Sequence, residues 1–302
     1  MGAEGGPTSN EEPLGDYAGL GGRAMTSTII AKEVPPTCHP LSSDNKMVIA
    51  PGLLSGTAAV MSGRISVGFK SPLTGGIKEA NSGGQAAQVI ARLGYAAIIL
   101  EGAPTGKDLY KVIINQQGVS IEKDNSLCML GNYDLIDKIK GNFNEKTTFM
   151  SIGPAGEMKM YASTVACTDR EQRPTRHAAR GGSGAVMGSK GIKVIVFDDE
   201  GAKRLAPMDL DAFKAANKIF SEGLKKHAVT GEGLPAYGTN VLTNVINEAG
   251  GYPTRNFQKG RFEGASKISG ETIAEMEDAR GGSSSHACHT GCIIKCSGIY
   301  HD

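Results

Sequence analysis

The hydrophobic and polar positions of the chain follow different patterns on the two sides of Pro207. Before that residue, short apolar runs separated by glycine-rich turns predict strands. The predicted strands cover residues 46–50, 65–69, 96–101, 109–115, 119–123, 147–152, 160–166 and 192–197, and we expect the apolar run at 96–101 to be buried. Short helices are predicted between them, at 23–31, 85–93, 135–139 and 185–190. This mixture is typical of a β-rich domain with a few crossover helices.

Beyond Pro207 the apolar residues recur at helical spacing. Leu210, Phe213 and Phe220 lie on one face of a predicted helix, for which Asp209 is the expected N-cap. Two further helices are predicted at 241–246 and 273–279. We therefore predict an α+β chain, with a β-rich domain over residues 1–205 and a partial helical domain over residues 206–302.

Composition and charge exclude several classes of protein. Glycine accounts for 42 of the 302 residues, against a usual share of ~7%, which points to tight turns and close backbone approaches to a ligand. The 32 basic and 31 acidic residues leave a net charge of +1, so no basic excess favours nucleic acid or an anionic membrane. No apolar run reaches the ~18 residues of a membrane span. We therefore expect neither nucleic acid nor a membrane as a partner.

The six cysteines are distributed unevenly. Cys38, Cys128 and Cys167 stand alone, whereas the other three fall within residues 288–296. A disulfide framework would be denser and more evenly spread, so the pattern indicates a reducing, cytoplasmic compartment. We expect that none of the three isolated cysteines is a metal ligand, and that Cys167, at the end of an apolar strand, behaves as a small hydrophobe.

The strongest chemical signal is the run CHTGCIIKC at 288–296, which contains Cys288, Cys292 and Cys296. Three thiols in so short a run suit a [4Fe-4S] cluster whose fourth ligand comes from elsewhere. In a helix, this spacing would place the three sulfurs on one face. Two alternatives are a zinc site that uses His286 or His289, and three buried structural cysteines.

Two segments of the β-rich region combine arginine with glycine. The first, RHAARGGSGA at 176–185, leads into a predicted helix, where backbone N–H groups and guanidinium groups would bind a phosphate. It has the spacing of neither a Walker loop nor a Rossmann loop. The second comprises SGR at 62–64, SPLTGG at 71–76 and NSGG at 81–84. Each alone is also typical of turns with solvated arginines, but together they predict a large ligand with several anionic groups.

These pieces resemble, in order and spacing, the N-terminal half of the tungsten- or molybdenum-containing aldehyde ferredoxin oxidoreductase family, over most of residues 17–302. The resemblance is carried by GGRA at 21–24, DNKMVIAPGLLSGT at 44–57, KSPLTGG at 70–76, GYAAIILEG at 94–102, SIGPAGE at 151–157, RHAARGGSGAVMGSKGIKVIVF at 176–197, GGYPTRNF at 250–257, the two glycine segments above and the cysteine run. It implies a base domain of two β-sheets followed by the start of an all-α domain. The base would carry a metal held by two pyranopterin dithiolenes, with Mg²⁺ bridging their phosphates.

The resemblance also assigns residues by motif. Arg64 matches a pterin-contacting arginine, and Asn81 and Gly83 match an Asn-x-Gly contact whose asparagine lies near the magnesium. The contacts before the GAVMGSK motif fall on Arg176, His177, Ala179 and Arg180. His177 stands where the family often has a small residue whose carbonyl serves the magnesium. Cys288, Cys292 and Cys296 match the first three cluster ligands, although their first gap is one residue longer than in the best-known members.

We expect the charged and polar residues of this set, with Gly83, to converge on one face of the β-rich domain: Arg64, Asn81, Gly83, Arg176 and Arg180. The implied function is oxidation of a small aldehyde to a carboxylic acid, with electrons passing through the [4Fe-4S] cluster to ferredoxin or a similar acceptor. A homodimer is compatible with the resemblance.

Family members are much longer than this chain. The chain is therefore expected to be a fragment that is inactive alone, with the fourth cluster cysteine and the catalytic acid and base beyond residue 302, and no catalytic side chain is assigned. Two other functions stay open. One is a subunit of a related tungsten enzyme with a non-aldehyde substrate, such as an aromatic-ring reductase, and the other is a non-enzymatic iron–sulfur electron carrier.

Overall fold

The computed structural model describes residues 6–301, and the chain divides into two compact units. The first unit comprises Met1–Ala206 together with His289–Gly291. The second comprises Pro207–Cys288 and Cys292–Asp302. Within the described range, no helix combines the length and the apolar character that a membrane span requires.

The first sheet of the first unit is antiparallel and has four strands. They are β1 (Met47–Pro51), β2 (Ile65–Lys70), β3 (Ile77–Ser82) and β4 (Ile98–Leu100), in the order β3-β2-β1-β4. Helix α1 (Gly22–Glu33) covers this sheet, because Met25, Ile29 and Ile30 pack against Val48 and Ala50 in one apolar cluster. The helix predicted at 23–31 is confirmed.

The second sheet has six strands in the order β6-β5-β10-β7-β8-β9. They are β5 (Tyr110–Asn115), β6 (Gly118–Lys123), β7 (Thr148–Ser151), β8 (Val165–Cys167), β9 (Arg176–Ala178) and β10 (Ile192–Phe197). The helices of this region are α2 (Ala86–Arg92), α3 (Asn132–Ile139), α4 (Pro154–Glu157) and α5 (Ser183–Ser189). Strand β10 pairs in parallel with β5 and antiparallel with β7, so it forms the centre of the sheet.

The core of the first unit lies on both faces of β10. Ile195 and Phe197 join an apolar cluster that also contains residues of the first sheet and of α2, such as Phe69 and Ile90. The alternate residues Val194 and Val196 face a second cluster, built on Phe149 and helix α3. Successive side chains of a strand point to opposite faces, so a continuous apolar run is what a strand buried on both sides requires.

The predicted base of two β-sheets is confirmed, but several strands differ from the prediction. The run at 96–101 forms only the short strand β4, and Ile99 is 41% exposed because β4 is the edge strand of its sheet. The strand predicted at 160–166 begins only at Val165, after an exposed turn at Met160 and Tyr161. Strands β3 and β9 were not predicted, since both are rich in polar residues.

The second unit is mainly helical, as expected. Its helices are α6 (Leu210–Lys226), α7 (Leu234–Tyr237), α8 (Leu242–Glu248) and α9 (Gly270–Arg280). The Asp209 carboxylate accepts a hydrogen bond from the Ala212 N–H at 2.9 Å, which confirms the predicted N-cap of α6. The unit also contains a two-stranded ladder that the pattern did not predict, formed by β11 (Ser283–His286) and β12 (Ser297–Ile299).

Candidate cofactor-binding surface and cysteine loop

The edge strands of the two sheets of the first unit pack against each other. Strand β3 ends the order of the first sheet, β9 ends that of the second, and the two strands are in contact. The arginine and glycine segments singled out in the sequence lie on these strands or directly beside them. The junction of the two sheets is therefore the place where a ligand could meet both segments.

Arg64 and Asn81 are in direct contact across the β2–β3 hairpin. The Arg64 guanidinium donates from Nε to the Asn81 side-chain oxygen and, at 3.4 Å, from Nη2 to the Asn81 backbone oxygen. Asn81 is one residue from the end of β3, and Arg64 directly precedes β2, so the strand pairing itself brings them together. Arg64 is exposed. Its fork is thus oriented by protein contacts that leave other guanidinium donors for an anion.

A carboxylate that sequence reasoning missed lies beside this pair. Glu79 of β3 accepts hydrogen bonds from Ser66 at 2.7 Å and from the Asn81 amide at 3.4 Å, and it forms a 3.2 Å ion pair with Arg23 of α1. Glu79 therefore orients the Asn81 side chain, and its negative charge balances the positive charge of Arg23. The only available signal was the GGRA piece at 21–24, which contains Arg23.

The glycine pair after β3 lies against the end of β8. Gly84 has a left-handed φ of +93°, and a Cβ at this position would lie 2.6 Å from the Thr168 carbonyl oxygen. The same carbonyl accepts a hydrogen bond from the Gln85 N–H at 3.2 Å. Cys167, the residue before Thr168, is paired with Arg176 in the sheet. Gly84 and Gln85, which follow Gly83, therefore lie against Thr168, and Arg176 pairs with the residue that precedes Thr168.

Strand β9 presents the second arginine segment. Arg176 is half-buried, and the exposed His177 has its Nδ1 atom 2.9 Å from the Thr164 hydroxyl oxygen. Desolvation lowers the pKa of His177 from its usual value, which favours the neutral ring. Ala179 and Arg180 follow the strand on the exposed side of the chain.

The end of this segment reaches the opposite end of the β2–β3 hairpin. Gly181 and Gly182 have φ angles of +85° and +87°, and the Gly181 carbonyl accepts a hydrogen bond from the Ser71 hydroxyl at 2.7 Å. A Cβ on Gly181 would lie 2.4 Å from the Lys78 side chain. Arg180 thus lies near the turn end of the hairpin, whereas Arg64 and Asn81 lie near its open end. The convergence of all five residues on one ligand stays a prediction.

The cysteines of the C-terminal run are in a loop between β11 and β12, and the expectation of one helical face is wrong. Gly291 and Lys295 have φ angles of +86° and +52°, which a right-handed helix does not accommodate. The sulfurs of Cys288 and Cys292 lie within 4.8 Å of each other, and a ring nitrogen of His289 in the same loop lies within that distance of both.

Cys296 is held differently. It lies opposite His286 in an isolated bridge next to the ladder, and its carbonyl oxygen accepts hydrogen bonds from the backbone N–H and the hydroxyl of Thr239, each at 3.0 Å. All three cysteines are free of disulfides. Thiolates and imidazole are soft and borderline donors of the kind that bind iron–sulfur clusters or zinc, so both metal readings fit this donor set.

The isolated cysteines have other surroundings. Cys167 is fully buried in the core, and desolvation raises the pKa of its thiol to about 11, in keeping with a small hydrophobe. Cys128 is exposed, and its hydrogen bond to the Glu157 carboxylate raises the pKa of the Cys128 thiol. Cys38 packs beside the apolar cluster of α1.

Comparison with known proteins identifies the family. The family model for the N-terminal domain of aldehyde ferredoxin oxidoreductase matches residues 7–199, and the model for its domains 2 and 3 matches residues 214–302. The chain belongs to the aldehyde ferredoxin oxidoreductase family, a family of oxidoreductases, as the sequence motifs indicated.

Individual relatives agree with this assignment. The chain is 40% identical over 286 residues to the tungsten-containing aldehyde ferredoxin oxidoreductase of Pyrococcus abyssi, a match that covers 94% of this chain and 45% of the relative. It is 38% identical over 274 residues to the protein of the same description from Pyrococcus furiosus, covering 90% and 44%. The chain therefore spans less than half the length of these curated relatives.

A solved structure has a similar fold. It is described as the active site complex BamBC of benzoyl coenzyme A reductase in complex with 1,5-dienoyl-CoA. The superposition has a TM-score of 0.74 and 26% sequence identity, and it covers 93% of this chain and 43% of that chain.

Proposed function

We propose that this chain forms the cofactor-binding base and part of the iron–sulfur site of an enzyme that oxidises aldehydes to carboxylic acids. The cofactor would be a tungsten or molybdenum centre held by two pyranopterins, with Mg²⁺ between their phosphates and a [4Fe-4S] cluster that passes electrons to ferredoxin. The main support is the Arg64–Asn81 pair at the junction of the two sheets, beside the glycine segments. Membership of the aldehyde ferredoxin oxidoreductase family supports aldehyde oxidation as the reaction.

The residues at the junction fit a ligand with several phosphate groups. Arg64, Arg176 and Arg180 offer guanidinium forks, which bind phosphate oxygens in a bidentate manner. Gly84, Gly181 and Gly182 adopt the left-handed backbone angles that the tight turns beside these arginines require. The Asn81 side-chain oxygen accepts from Arg64 and keeps a second lone pair, and such a carbonyl oxygen is a ligand that Mg²⁺ accepts.

Each set of residues has a separate task in this function. When bound, the metal–pterin group supplies two-electron redox chemistry. The arginines and glycines bind and orient that group, and the hydrogen bonds from Arg64 to Asn81 fix the direction from which the guanidinium reaches it. The Cys288, Cys292 and Cys296 thiolates bind iron, and the hydrogen bonds and burial around them set the reduction potential.

A second candidate is supported by the structural similarity to benzoyl coenzyme A reductase, whose described ligand is a dienoyl-CoA. In that case the same base would serve a reductase of an aromatic ring. The higher identity to the aldehyde ferredoxin oxidoreductases favours aldehyde oxidation. A simple iron–sulfur carrier is disfavoured because it needs no arginine and glycine segments for phosphate.

Metal analysis tests the proposal. The enzyme that contains this chain is produced anaerobically with tungstate and molybdate, and tungsten, molybdenum, iron and zinc are quantified per chain. The proposal expects tungsten or molybdenum together with iron, about four atoms for a complete cluster. Iron without tungsten or molybdenum would favour the carrier, and zinc alone would contradict every iron–sulfur function.

Paired variants separate the two sites. We expect Arg64→Met to lose tungsten or molybdenum and keep iron, while the exposed arginine variant Arg204→Met keeps both. Conversely, Cys292→Ser should lose iron, whereas Cys167→Ala should not. Equal metal contents in Arg64→Met and Arg204→Met would show that Arg64 does not hold the cofactor.

A further inference from the structure

The three residues between Cys288 and Cys292 belong to the first unit and are bound there by a side chain outside the assigned motifs. Gln85 accepts a hydrogen bond from the Thr290 N–H through Oε1 at 2.8 Å, and it donates from Nε2 to the Thr290 hydroxyl at 2.8 Å. One carboxamide thus contacts both the backbone and the side chain of Thr290. Two bonds to one residue fix its orientation as well as its position.

Two further contacts hold the same loop. The Met61 N–H donates to the Gly291 carbonyl oxygen at 3.1 Å. His289 is only 1% exposed, and a Cβ on Gly63 would lie 2.3 Å from its Nδ1 atom. The imidazole therefore occupies the space that the absence of a side chain at Gly63 provides.

The anchoring points are the chain neighbours of the predicted cofactor residues. Gly63 directly precedes Arg64, and Gln85 directly follows Gly84. Hydrogen bonds also hold the neighbouring part of the chain, because Gln88 accepts from the Gly56 N–H at 2.6 Å and donates to the Ser62 hydroxyl at 3.2 Å. A displacement of Gly63 and Gln85 would therefore move the 289–291 loop together with the adjacent predicted cofactor residues.

We propose that Gln85 is a positioning residue that fixes the loop between Cys288 and Cys292 to the segment carrying Arg64, Asn81 and Gly83. Its carboxamide sets the place and the mobility of Thr290, and through the chain it restrains the two flanking thiolates. The role in electron transfer rests on the proposed function. The role in holding the loop stands on the hydrogen bonds alone.

Hydrogen exchange tests the loop contact without any cofactor. Thr290 is exposed, so without the Gln85 bond its amide would exchange quickly. We expect Gln85→Leu to speed exchange of the 289–291 amides by several-fold, up to about tenfold for a single lost hydrogen bond. Gln85→Glu keeps an acceptor for the amide and should retain most of the protection. The matched control is Gln116→Leu, which removes a similar 2.9 Å bond to the Glu200 carbonyl far along the chain.

The electronic role is measured on the iron-loaded enzyme that contains this chain. We expect Gln85→Leu to bind iron but to shift the reduction potential and the electron paramagnetic resonance spectrum of the reduced cluster, while Gln116→Leu stays near wild type. Unchanged exchange in Gln85→Leu would overturn the positioning role. Faster exchange with an unchanged potential would overturn its link to the cluster. Failure of the wild-type enzyme to bind iron would instead contradict the proposed function, and the exchange result would still stand.

Discussion

The two units of the molecule differ in how they bury their apolar residues. The first unit encloses large side chains completely, among them Phe69, Phe149 and Phe197. Among the described residues of the second unit, the buried apolar side chains are small: Ala265, Ala274, Ala287 and Cys292. Its large apolar side chains are half-buried or exposed, with Ile219 at 73% and Phe257 at 82%.

This difference shows that a similar sequence pattern has different consequences in the two units. Helix α6 has the apolar spacing of an amphipathic helix, yet none of its residues is buried. Most helix stability in proteins comes from packing of the apolar face, so the contacts of this chain alone stabilise α6 weakly. The first unit is fixed by its own contacts, whereas the exposed face of α6 is the kind of surface that other polypeptide covers.

The largest effect is expected from phenylalanine truncation in the two units. Phe149 of β7 is fully buried, with an edge-to-face contact to Phe143 at 5.9 Å between ring centroids. Phe149→Ala should therefore lower the free energy of unfolding of the first unit by about 3–5 kcal/mol. Phe220→Ala, at a half-exposed position of α6, should change stability by about 1 kcal/mol or less.

Native-state hydrogen exchange measures the stability change that each phenylalanine variant causes. The amides of β10 report on the first unit, and the amides of α6 report on the second. Equal losses in the two variants would mean that α6 is packed as firmly as the sheet, and the comparison between the units would fail.

The same contrast explains which parts of the fold could be predicted. Strand β10 and the β5–β6 hairpin follow from apolar runs and a glycine turn, because local pattern and tertiary burial agree there. Strand β3 could not be predicted, since Lys78, Glu79 and Asn81 have low strand propensity and are accommodated only because β3 is an edge strand.

Some residues of the candidate site could be predicted from the sequence and others could not. Arg64 and Asn81 were predicted from motifs, in which the residues that contact a ligand lie close together in the sequence. The contacts of Glu79 with Arg23 and of Gln85 with Thr290 join residues 56 and 205 positions apart. No local pattern encodes such pairs. The cysteine spacing suggested a helix, but Gly291 and Lys295 adopt left-handed backbone angles within a loop.

Buried and exposed ion pairs provide the next test. The Lys193 ammonium is inaccessible to solvent and donates to Glu157 and, at 2.8 Å, to the Leu130 carbonyl oxygen. Lys193→Met leaves the Glu157 carboxylate buried without its cation, so we expect a loss of about 3–5 kcal/mol. The exposed pair Lys218–Glu222 of α6 is 4.0 Å apart, and Lys218→Met should cost no more than about 0.5 kcal/mol.

The readout is again exchange of the β10 amides against the α6 amides. The double variant Lys193→Met/Glu157→Met, which replaces both charges by apolar side chains, should recover part of the loss. No recovery would show that the single variant acts by disturbing packing rather than by leaving a charge unpaired.

A smaller, pH-dependent effect is expected from a buried lysine of the first unit. Burial lowers the pKa of Lys190 to about 8, although its ammonium donates to the carbonyl oxygens of Ser42 and Asn45, and Asp44 and Glu101 oppose the shift. The lysines of the second unit are all exposed among its described residues.

The sign follows from proton linkage. Below pH 8 Lys190 is charged in both states, and the unfavourable burial of the charge is fully present. Between pH 8 and the unfolded value of 10.5 only the unfolded state keeps the proton, so stability rises with pH. The free energy of unfolding of wild type relative to Lys190→Met should therefore increase over this window, by roughly 3 kcal/mol at most. A decrease would show that the backbone carbonyls hold Lys190 in its charged form.

The smallest effects differ in sign between two helix glycines. A Cβ on Gly188 of α5 would lie 2.0 Å from the Gly156 carbonyl oxygen, because helices α4 and α5 approach closely there. Gly188→Ala should cost about 1–3 kcal/mol through the forced displacement. A Cβ on Gly223 of α6 has no neighbour within 4 Å, so Gly223→Ala should stabilise α6 by about 0.5–1 kcal/mol through its higher helix propensity. Circular dichroism at 222 nm against temperature, together with exchange of the α5 and α6 amides, measures both. Destabilisation by Gly223→Ala would show that something covers this part of α6, for example a second copy of the chain, and exchange at two protein concentrations would then reveal it.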